Sequence, residues 1–309
     1  MIDDARVRSA PDNVLGIDFG GTKVALRVER PDGSGADARL RIAEGEAASS
    51  VLERTFSEAR RLVADAGAIG AIGVATPGVV HEDHVDLAPN VAGWTELGLG
   101  ARLAEEFGPI PLSVENDVKA AARAEAGEGA LHGAGTGLYV NLGTGIAIAP
   151  VLDGTVLRGA HGAAGEIGYA PIGPLGGSEE RATTLEEHAG GSGLGRRAAA
   201  DAGIAADDVR GLVALLGVSP AADRLWDDAV DEIARHLITA ALTVDPSRIV
   251  VGGGMTRAGT ALFDPLVARL AAALPYPPEV VASAFGPDAS LRGALILART
   301  GLDAGAAQD

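Results

Sequence analysis

The sequence predicts an α/β protein of two lobes, built by duplication of a βββαβα core with a cleft between the lobes. Three observations predict it. Two stretches, Val14 to Val28 and Gly137 to Pro150, each read as strand, glycine turn, strand. Each is followed by segments that alternate helical spacing with short apolar runs, the pattern of strand–helix–strand units on a parallel sheet. The 309 residues are long for one core and sufficient for two.

Taken in order, Met1 to Asn13 is charged, has no apolar signal core and is expected to be a flexible leader. VLGID, FGGT and KVALRV then form the first hairpin, and Pro31 to Asp37 reads as a loop. Val51, Leu52, Phe56, Ala59, Leu62 and Val63 share one face of a helix over Ala48 to Ala66. Ile69 to Ala75 reads as a buried strand ending in Thr76-Pro77-Gly78, before a loop with Asn90 and Trp94. A short helix over Leu99 to Phe107, a strand over Ile110 to Val114 and a helix from Asn116-Asp117 to about Gly127 complete the first half. The second half opens on GLYVN, LGTG and IAIAP, with a further hairpin through Asp153-Gly154. Residues 159–195 are glycine-rich and read as irregular working loops. A short helix over Val209 to Leu216 precedes the strongest one, Ala222 to Val244. Its apolar stripe takes in Leu225, Trp226, Ala229, Val230, Ile233, Leu237, Ile238, Ala241 and Leu242. Arg248 to Val251 is a strand running into Gly252-Gly253-Gly254, and helices near 259–274 and 290–299 close the chain, with a frayed tail after Gly301.

Bulk composition narrows the function. The formal net charge is −17, which repels a nucleic-acid backbone, so no nucleic-acid partner is expected. Any nucleotide site on so acidic a protein must use Mg²⁺, backbone N–H groups and a few local cations. Lysine occurs only at Lys23 and Lys119, both inside the motifs described next. There is no cysteine, which excludes disulfides and thiolate metal sites. No uncharged apolar run is long enough to span a bilayer, so no membrane partner and a cytoplasmic location are expected.

Asp18-Phe19-Gly20-Gly21-Thr22-Lys23 lies between two strands. Glycines there let backbone N–H groups reach phosphate, Thr22 and Lys23 can donate to its oxygens, and Asp18 can hold Mg²⁺ directly or through water. Alone, the segment reads equally as an ordinary turn. It is not a P-loop, because a strand follows where a helix would be required. Gly143-Thr144-Gly145 is the equivalent turn of the second half, and the pair is more specific than either member. Gly253 and Gly254, after a buried strand, leave room for a flat base or ribose, and in isolation read equally as a helix-connecting turn. Asn116-Asp117 opens a helix. Both residues are favoured N-caps, and the same position also suits a carboxylate that accepts a hydroxyl proton. Glu166, Tyr169 and Glu186 lie in or near the glycine-rich region, where carboxylates take paired hydrogen bonds from sugar hydroxyls; exposed acids would look the same.

These segments occur in one order: DFGGTK, ATPGVV with PNVAGW, ENDVKAAARAE, NLGTGIAIAPVLDGTVLRG, GAAGEIGY, TLEEHAGGSGL, DPSRIVVGGGM and LRGALILA. In that order they resemble the ROK family (repressors, uncharacterised reading frames and sugar kinases) over about residues 14–300. The resemblance implies an actin/hexokinase-like (ASKHA) fold with ATP and Mg²⁺ in the interlobe cleft. Its smaller lobe would be 14–116 plus 290–301 and its larger lobe 117–289, with 1–13 and 302–309 as tails. It implies Asp117 as catalytic base and Asn116, Glu166 and Glu186 as sugar ligands, with Gly78 and Asn90 in loops lining the sugar pocket. Gly20, Gly21 and Thr22 match one phosphate loop, Gly143, Thr144 and Gly145 the other, and Gly253 and Gly254 the nucleotide-side turn. A homodimer is implied by the resemblance alone.

Three departures stand out. Tyr169 replaces a histidine that in the family binds both a structural zinc and the sugar. Pro171 to Thr184 lacks the cysteines of that zinc site, so no zinc is expected there. Thirteen leading residues are too few for the helix-turn-helix of the family's repressors. The expected activity is ATP-dependent phosphorylation of a hexose hydroxyl, glucose by default. An amino sugar or cyclitol acceptor, or a catalytically silent sugar-binding regulator, is the alternative. A filament-forming role does not account for ENDV and GEIGY.

Overall fold

The computed structural model describes residues 12–81, 84–88, 93–173, 183–206 and 208–306. The chain separates into two compact units, one running to Ala120 and resuming at Ser290, the other Ala121–Ala289.

The first unit holds β1 (Asn13–Phe19), β2 (Lys23–Glu29), β3 (Gly35–Arg41), α1 (Ala48–Ala66), β4 (Ile69–Thr76), β5 (Val79–Val80), β6 (Val85–Asp86), α2 (Leu99–Phe107) and β7 (Leu112–Asn116). It ends inside α3 (Asp117–Glu128). Its sheet runs β3-β2-β1-β4-β7; β2 is antiparallel to both neighbours, and β1, β4 and β7 are parallel. Successive side chains of a strand face opposite ways, and β1 uses both faces. Leu15, Ile17 and Phe19 join Leu52, Phe56 and Leu62 of α1 and Leu99 and Leu103 of α2 in one core.

The other face is lined by small residues. There Val14 and Ala71 meet Leu295 and Ala298, and Ala75 meets Ala120 and Ala294. A Cβ on Gly73 would lie 1.8 Å from the Ala294 carbonyl oxygen, and one on Gly293 1.9 Å from that of Ala120. Glycine is therefore required where the last helix lies on this sheet, at Gly73, and where it crosses α3, at Gly293. Glu29, 3% exposed, pins the same helix to β2. It accepts from Arg27 Nε at 3.0 Å and Arg292 Nη1 at 3.1 Å, and pairs with Arg299 as well.

The second unit continues with β8 (Thr136–Leu142), β9 (Ile146–Leu152), β10 (Thr155–Val156), α4 (Leu185–Ala189), α5 (Gly191–Ala200), α6 (Val209–Ala214), α7 (Pro220–Val244), β11 (Arg248–Gly252), α8 (Thr260–Ala273) and β12 (Glu279–Ala282), before α9 (Ala289–Ala306). Its sheet runs β10-β9-β8-β11-β12, with β8, β11 and β12 parallel and β9 antiparallel to both neighbours. Strand for strand this is the order of the first sheet, so the duplication predicted from the two glycine hairpins holds at the level of topology. Asp153 (φ 48°) and Gly154 (φ 76°) form the turn between β9 and β10, as a DG pair favours. The Ser219 hydroxyl caps α7, with Pro220 opening the helix, and Trp226, Val230, Ile233 and Leu237 carry its buried stripe.

Several expectations need correction. Asn13 begins β1 rather than ending a leader. The third strand of the expected βββαβα core, β3, begins inside the segment Pro31 to Asp37 expected as loop. Within 159–195, α4 and α5 are helical, and the short β12 was not anticipated. Leu242 lies outside the α7 core at 61% exposed. α9 continues through Ala306 instead of fraying after Gly301.

Candidate active site

Ligands of open α/β sheets bind beyond the carboxyl ends of the parallel strands. In the first unit those ends carry Asp18 (β1), Thr76 leading to Gly78 (β4), and Asn116 leading to Asp117 (β7). Strand register aligns them: Asp18 pairs with Ala75, Ala75 with Glu115, and Thr76 with Asn116. Asp18 is 8% exposed. Beside it the turn to β2 is closed by the Gly20 N–H donating to the Lys23 carbonyl at 2.9 Å. Gly21 and Thr22 are exposed, and nothing lies within 4 Å of where a Gly21 side chain would begin. The turn therefore offers backbone to an approaching ligand, and the buried carboxylate fits a role in holding a hydrated cation beside it.

Asn116 is the N-cap of α3. Its Oδ1 accepts from the backbone N–H groups of Val118 and Lys119, both at 3.1 Å. Its Nδ2 donates to the Gly78 carbonyl at 2.9 Å and to Asp117 Oδ1 at 3.2 Å. A side-chain amide has two acceptor and two donor positions, so all four are occupied by protein groups. A sugar hydroxyl must displace one of them to reach Asn116. Asp117 Oδ1 also accepts from the Val118 N–H at 2.9 Å, which places its carboxylate at the positive end of the 12-residue α3. Lys119 is 1% exposed and so does not present its ammonium to solvent. Trp94, 2% exposed, packs tilted against Phe19 with ring centroids 4.9 Å apart and donates its Nε1–H to Thr76 Oγ1 at 2.8 Å, tying its loop to the end of β4. Asn90 lies outside the described residues.

In the second unit the corresponding ends bring together Gly143-Thr144-Gly145, Gly253-Gly254 and Glu186. The Gly143 N–H donates to the Gly145 carbonyl at 3.0 Å, closing the turn. The first amides of α5 hold it from behind: Gly191 N donates to Gly143 O at 2.8 Å and Ser192 N to Thr144 O at 3.1 Å. The segment AGGSGL signals this packing, because a Cβ on Gly191 would lie 2.6 Å from the Gly143 carbonyl oxygen. Gly253 (φ 90°) abuts Leu142, whose carbonyl would be 2.4 Å from a Cβ there. The Glu186 carboxylate accepts from the Ile146 N–H at 3.1 Å and covers Gly145. Glu166 and Tyr169 flank a short 3-10 turn in which the Tyr169 N–H donates to the Glu166 carbonyl at 3.2 Å. Tyr169 is 48% exposed.

α4 is itself fixed. Thr184 and Glu187 form a reciprocal capping box. Arg197 donates to the His188 carbonyl at 2.9 Å and to Asp228 at 2.6 Å, linking α4, α5 and α7. Burial, then the Arg197 charge, lowers the His188 pKa despite Asp228 at 3.0 Å. Burial tends to raise the Asp228 pKa, but the Arg197 hydrogen bond and the neighbouring cations outweigh it and lower it.

The chain is similar to known proteins. A glucokinase of Halalkalibacterium halodurans is 35% identical over 63% of this chain, and the chain spans 64% of that protein's length. A kanosamine kinase of Amycolatopsis mediterranei is 31% identical over 92% of this chain and 95% of its own. The crystal structure of a ROK family glucokinase from Streptomyces griseus, in complex with glucose and AMPPNP, superposes with a TM-score of 0.76 at 26% identity. It covers 93% of this chain and 99% of that one. The fold is thus the α/β actin/hexokinase-like fold of these sugar kinases. Residues 14–301 match the ROK family, and the chain belongs to it.

Proposed function

We propose that this protein is an ATP-dependent sugar kinase. The observation that carries the reading is Asp117, a half-buried carboxylate held at the N-terminus of α3 by Val118 and Asn116, at the carboxyl end of a parallel strand. Asp117 accepts the proton of a sugar hydroxyl as that oxygen bonds to the γ-phosphorus of ATP and ADP departs. In phosphoryl transfer such a base mainly orients the nucleophile. The turns at Gly20, Gly21 and Thr22 and at Gly143, Thr144 and Gly145, with Lys23, steady the phosphates, and Gly253 and Gly254 admit the nucleoside. Asp18 would hold a Mg²⁺ ion, directly or through water, and that ion would supply neutralisation of phosphate charge. By the family resemblance, Glu166, Glu186 and Tyr169 would bond the sugar hydroxyls, and Asn90 and Gly78 belong to loops assigned to the sugar. The same reading implies a cytoplasmic homodimer; among the described residues no helix is long and apolar enough to cross a membrane.

Glucose is the default acceptor. An amino sugar is the second reading, favoured by a half-exposed phenol at Tyr169 where the family usually has histidine, and by the likeness to a kanosamine kinase. The test is ADP release with MgATP across hexoses, N-acetylhexosamines, amino sugars and cyclitols. Asp117→Asn keeps the Oδ1 acceptor and is expected to lower kcat by about 10²–10⁴ with sugar affinity retained. Undiminished turnover in that variant removes Asp117 as base. Sugar binding without turnover in the wild type makes the protein a silent binder.

A further inference from the structure

We propose that the β5–β6 hairpin carries a binding site for a borderline divalent transition-metal ion, of the Zn²⁺ class, formed by His81, His84 and Asp86. This site is separate from the family's cysteine-dependent zinc site, and no residue of it enters the phosphoryl-transfer reading.

The argument starts from spacing. Val79 pairs with Asp86 and Val80 with Val85, so His81 lies opposite His84, and the His81 N–H donates to the His84 carbonyl at 2.9 Å. Directly opposed residues share a face of a hairpin, and residues two apart along a strand share it too. The pattern H-x-x-H-x-D thereby puts two imidazoles and a carboxylate on one side. Their geometry bears this out. The rings stack at 4.5 Å with 15° between planes. Nε2 of His81 and Nε2 of His84 each lie 3.3 Å from the same oxygen, Asp86 Oδ2. All three ligand atoms fall within 4.8 Å of one another.

Metal–ligand bonds of 2.0–2.1 Å in a tetrahedral site put neighbouring ligand atoms about 3.3 Å apart. Two of the three edges already have that length, and turning one exposed imidazole closes the third. Two imidazoles and one carboxylate suit zinc, nickel or copper better than the hard cations, which prefer oxygen alone. The side chains are 30%, 45% and 46% exposed, so an ion can enter and keep a water as fourth ligand. The hairpin also meets the sugar side of the protein. A Cβ on Gly78 would lie 2.3 Å from the Asp86 carbonyl oxygen, and the Gly78 carbonyl receives Asn116. An ion at Asp86 thus braces the loop against which Asn116 is set.

The test uses the full chain without an affinity tag, stripped with chelator and dialysed against micromolar Zn²⁺ at about pH 7.5, where imidazole is neutral. Bound metal is counted by mass spectrometry. One equivalent per chain is expected, falling at least about tenfold in affinity in His81→Asn/His84→Asn and in Asp86→Asn. Co²⁺ should give the visible absorption of a tetrahedral site in the wild type and lose it in the variants. Far-UV circular dichroism of the metal-free proteins checks that the variants fold. Equal zinc in folded variants and wild type would assign the metal to the remaining histidines and overturn the proposal; so would failure of the wild type to bind any.

Discussion

Gly253 and Gly254 are neighbours in sequence, yet replacing each with alanine should have unequal consequences. Gly253 has φ 90°, and a Cβ there would sit 2.4 Å from the carbonyl carbon and oxygen of Leu142 and 2.8 Å from Gly143 N. Those are backbone atoms, so no side chain can rotate aside. Forcing an L-residue into the left-handed region costs about 1–2 kcal/mol. Overpacking adds about 1–3 kcal/mol, and the lost entropy of the unfolded chain returns about 0.4–1 kcal/mol. Gly253→Ala should therefore destabilise by about 2–4 kcal/mol, a large share of the roughly 5–15 kcal/mol that holds a typical protein folded. In thermal unfolding of a chain of 309 residues this corresponds to a drop of roughly 3–6 °C. Gly254 is exposed, with nothing within 4 Å of its Cβ position and no positive φ, so Gly254→Ala should lie within about 0.5 kcal/mol of wild type. Urea unfolding of the two variants beside the parent measures both. If the Gly143 turn carries nucleotide phosphates, KM for ATP should also rise in Gly253→Ala while KM for sugar stays. Equal destabilisation by the two substitutions would refute the close-approach argument.

Two further outcomes follow from the buried charges. Glu29→Ala leaves three arginines without their shared carboxylate; breaking a buried pair costs about 3–5 kcal/mol. The arginines are 24%, 30% and 37% exposed and can regain water, which lowers the expected loss to about 2 kcal/mol in urea unfolding. A loss below about 0.5 kcal/mol would mean that packing alone holds α9. His188 has a folded pKa below its ordinary 6.5, so between the two values the unfolded chain binds more protons. Its contribution is present above 6.5 and is lost as pH falls through the folded pKa. Unfolding midpoints taken across that window should fall more steeply for wild type than for His188→Gln, and parallel curves would exclude His188 as the cause.

Strong periodicity was legible where long side chains carried it, as in α1, α7 and the β1–β2 and β8–β9 hairpins. The misses have local causes. In β3, Ala36, Ala38 and Leu40 alternate with polar residues, but alanine gives weak contrast and no β-branched residue marks the strand. α4 carried a readable signal, the Thr184-x-x-Glu187 box, obscured by the glycines that follow it. Those glycines are there because α5 packs backbone to backbone: a Cβ on Gly193 would lie 2.2 Å from the Glu187 carbonyl oxygen. Glycine that enables close approach and glycine that breaks a helix look alike in sequence. Gly301 is a further case, inside α9 where a stop was expected.

The same ambiguity governs the candidate site, and Asn116 shows how far it can be resolved. In sequence, an asparagine before a helix can be a cap or a ligand, and the two look like rivals. Its Oδ1 is a complete cap, spent on Val118 and Lys119. Capping alone leaves the NH₂ group uncommitted, and that end bonds to Asp117 and to Gly78, 38 residues earlier in the chain. No local pattern encodes the second contact, since it depends on the register that sets Thr76 beside Asn116. The cap fixes where α3 begins, the amide then fixes where the Asp117 carboxylate sits relative to the Gly78 loop, and the parallel strands bring both to one end of the sheet. Asn116 therefore acts first by positioning Asp117, and any bond it makes to a sugar must be exchanged for one it already holds.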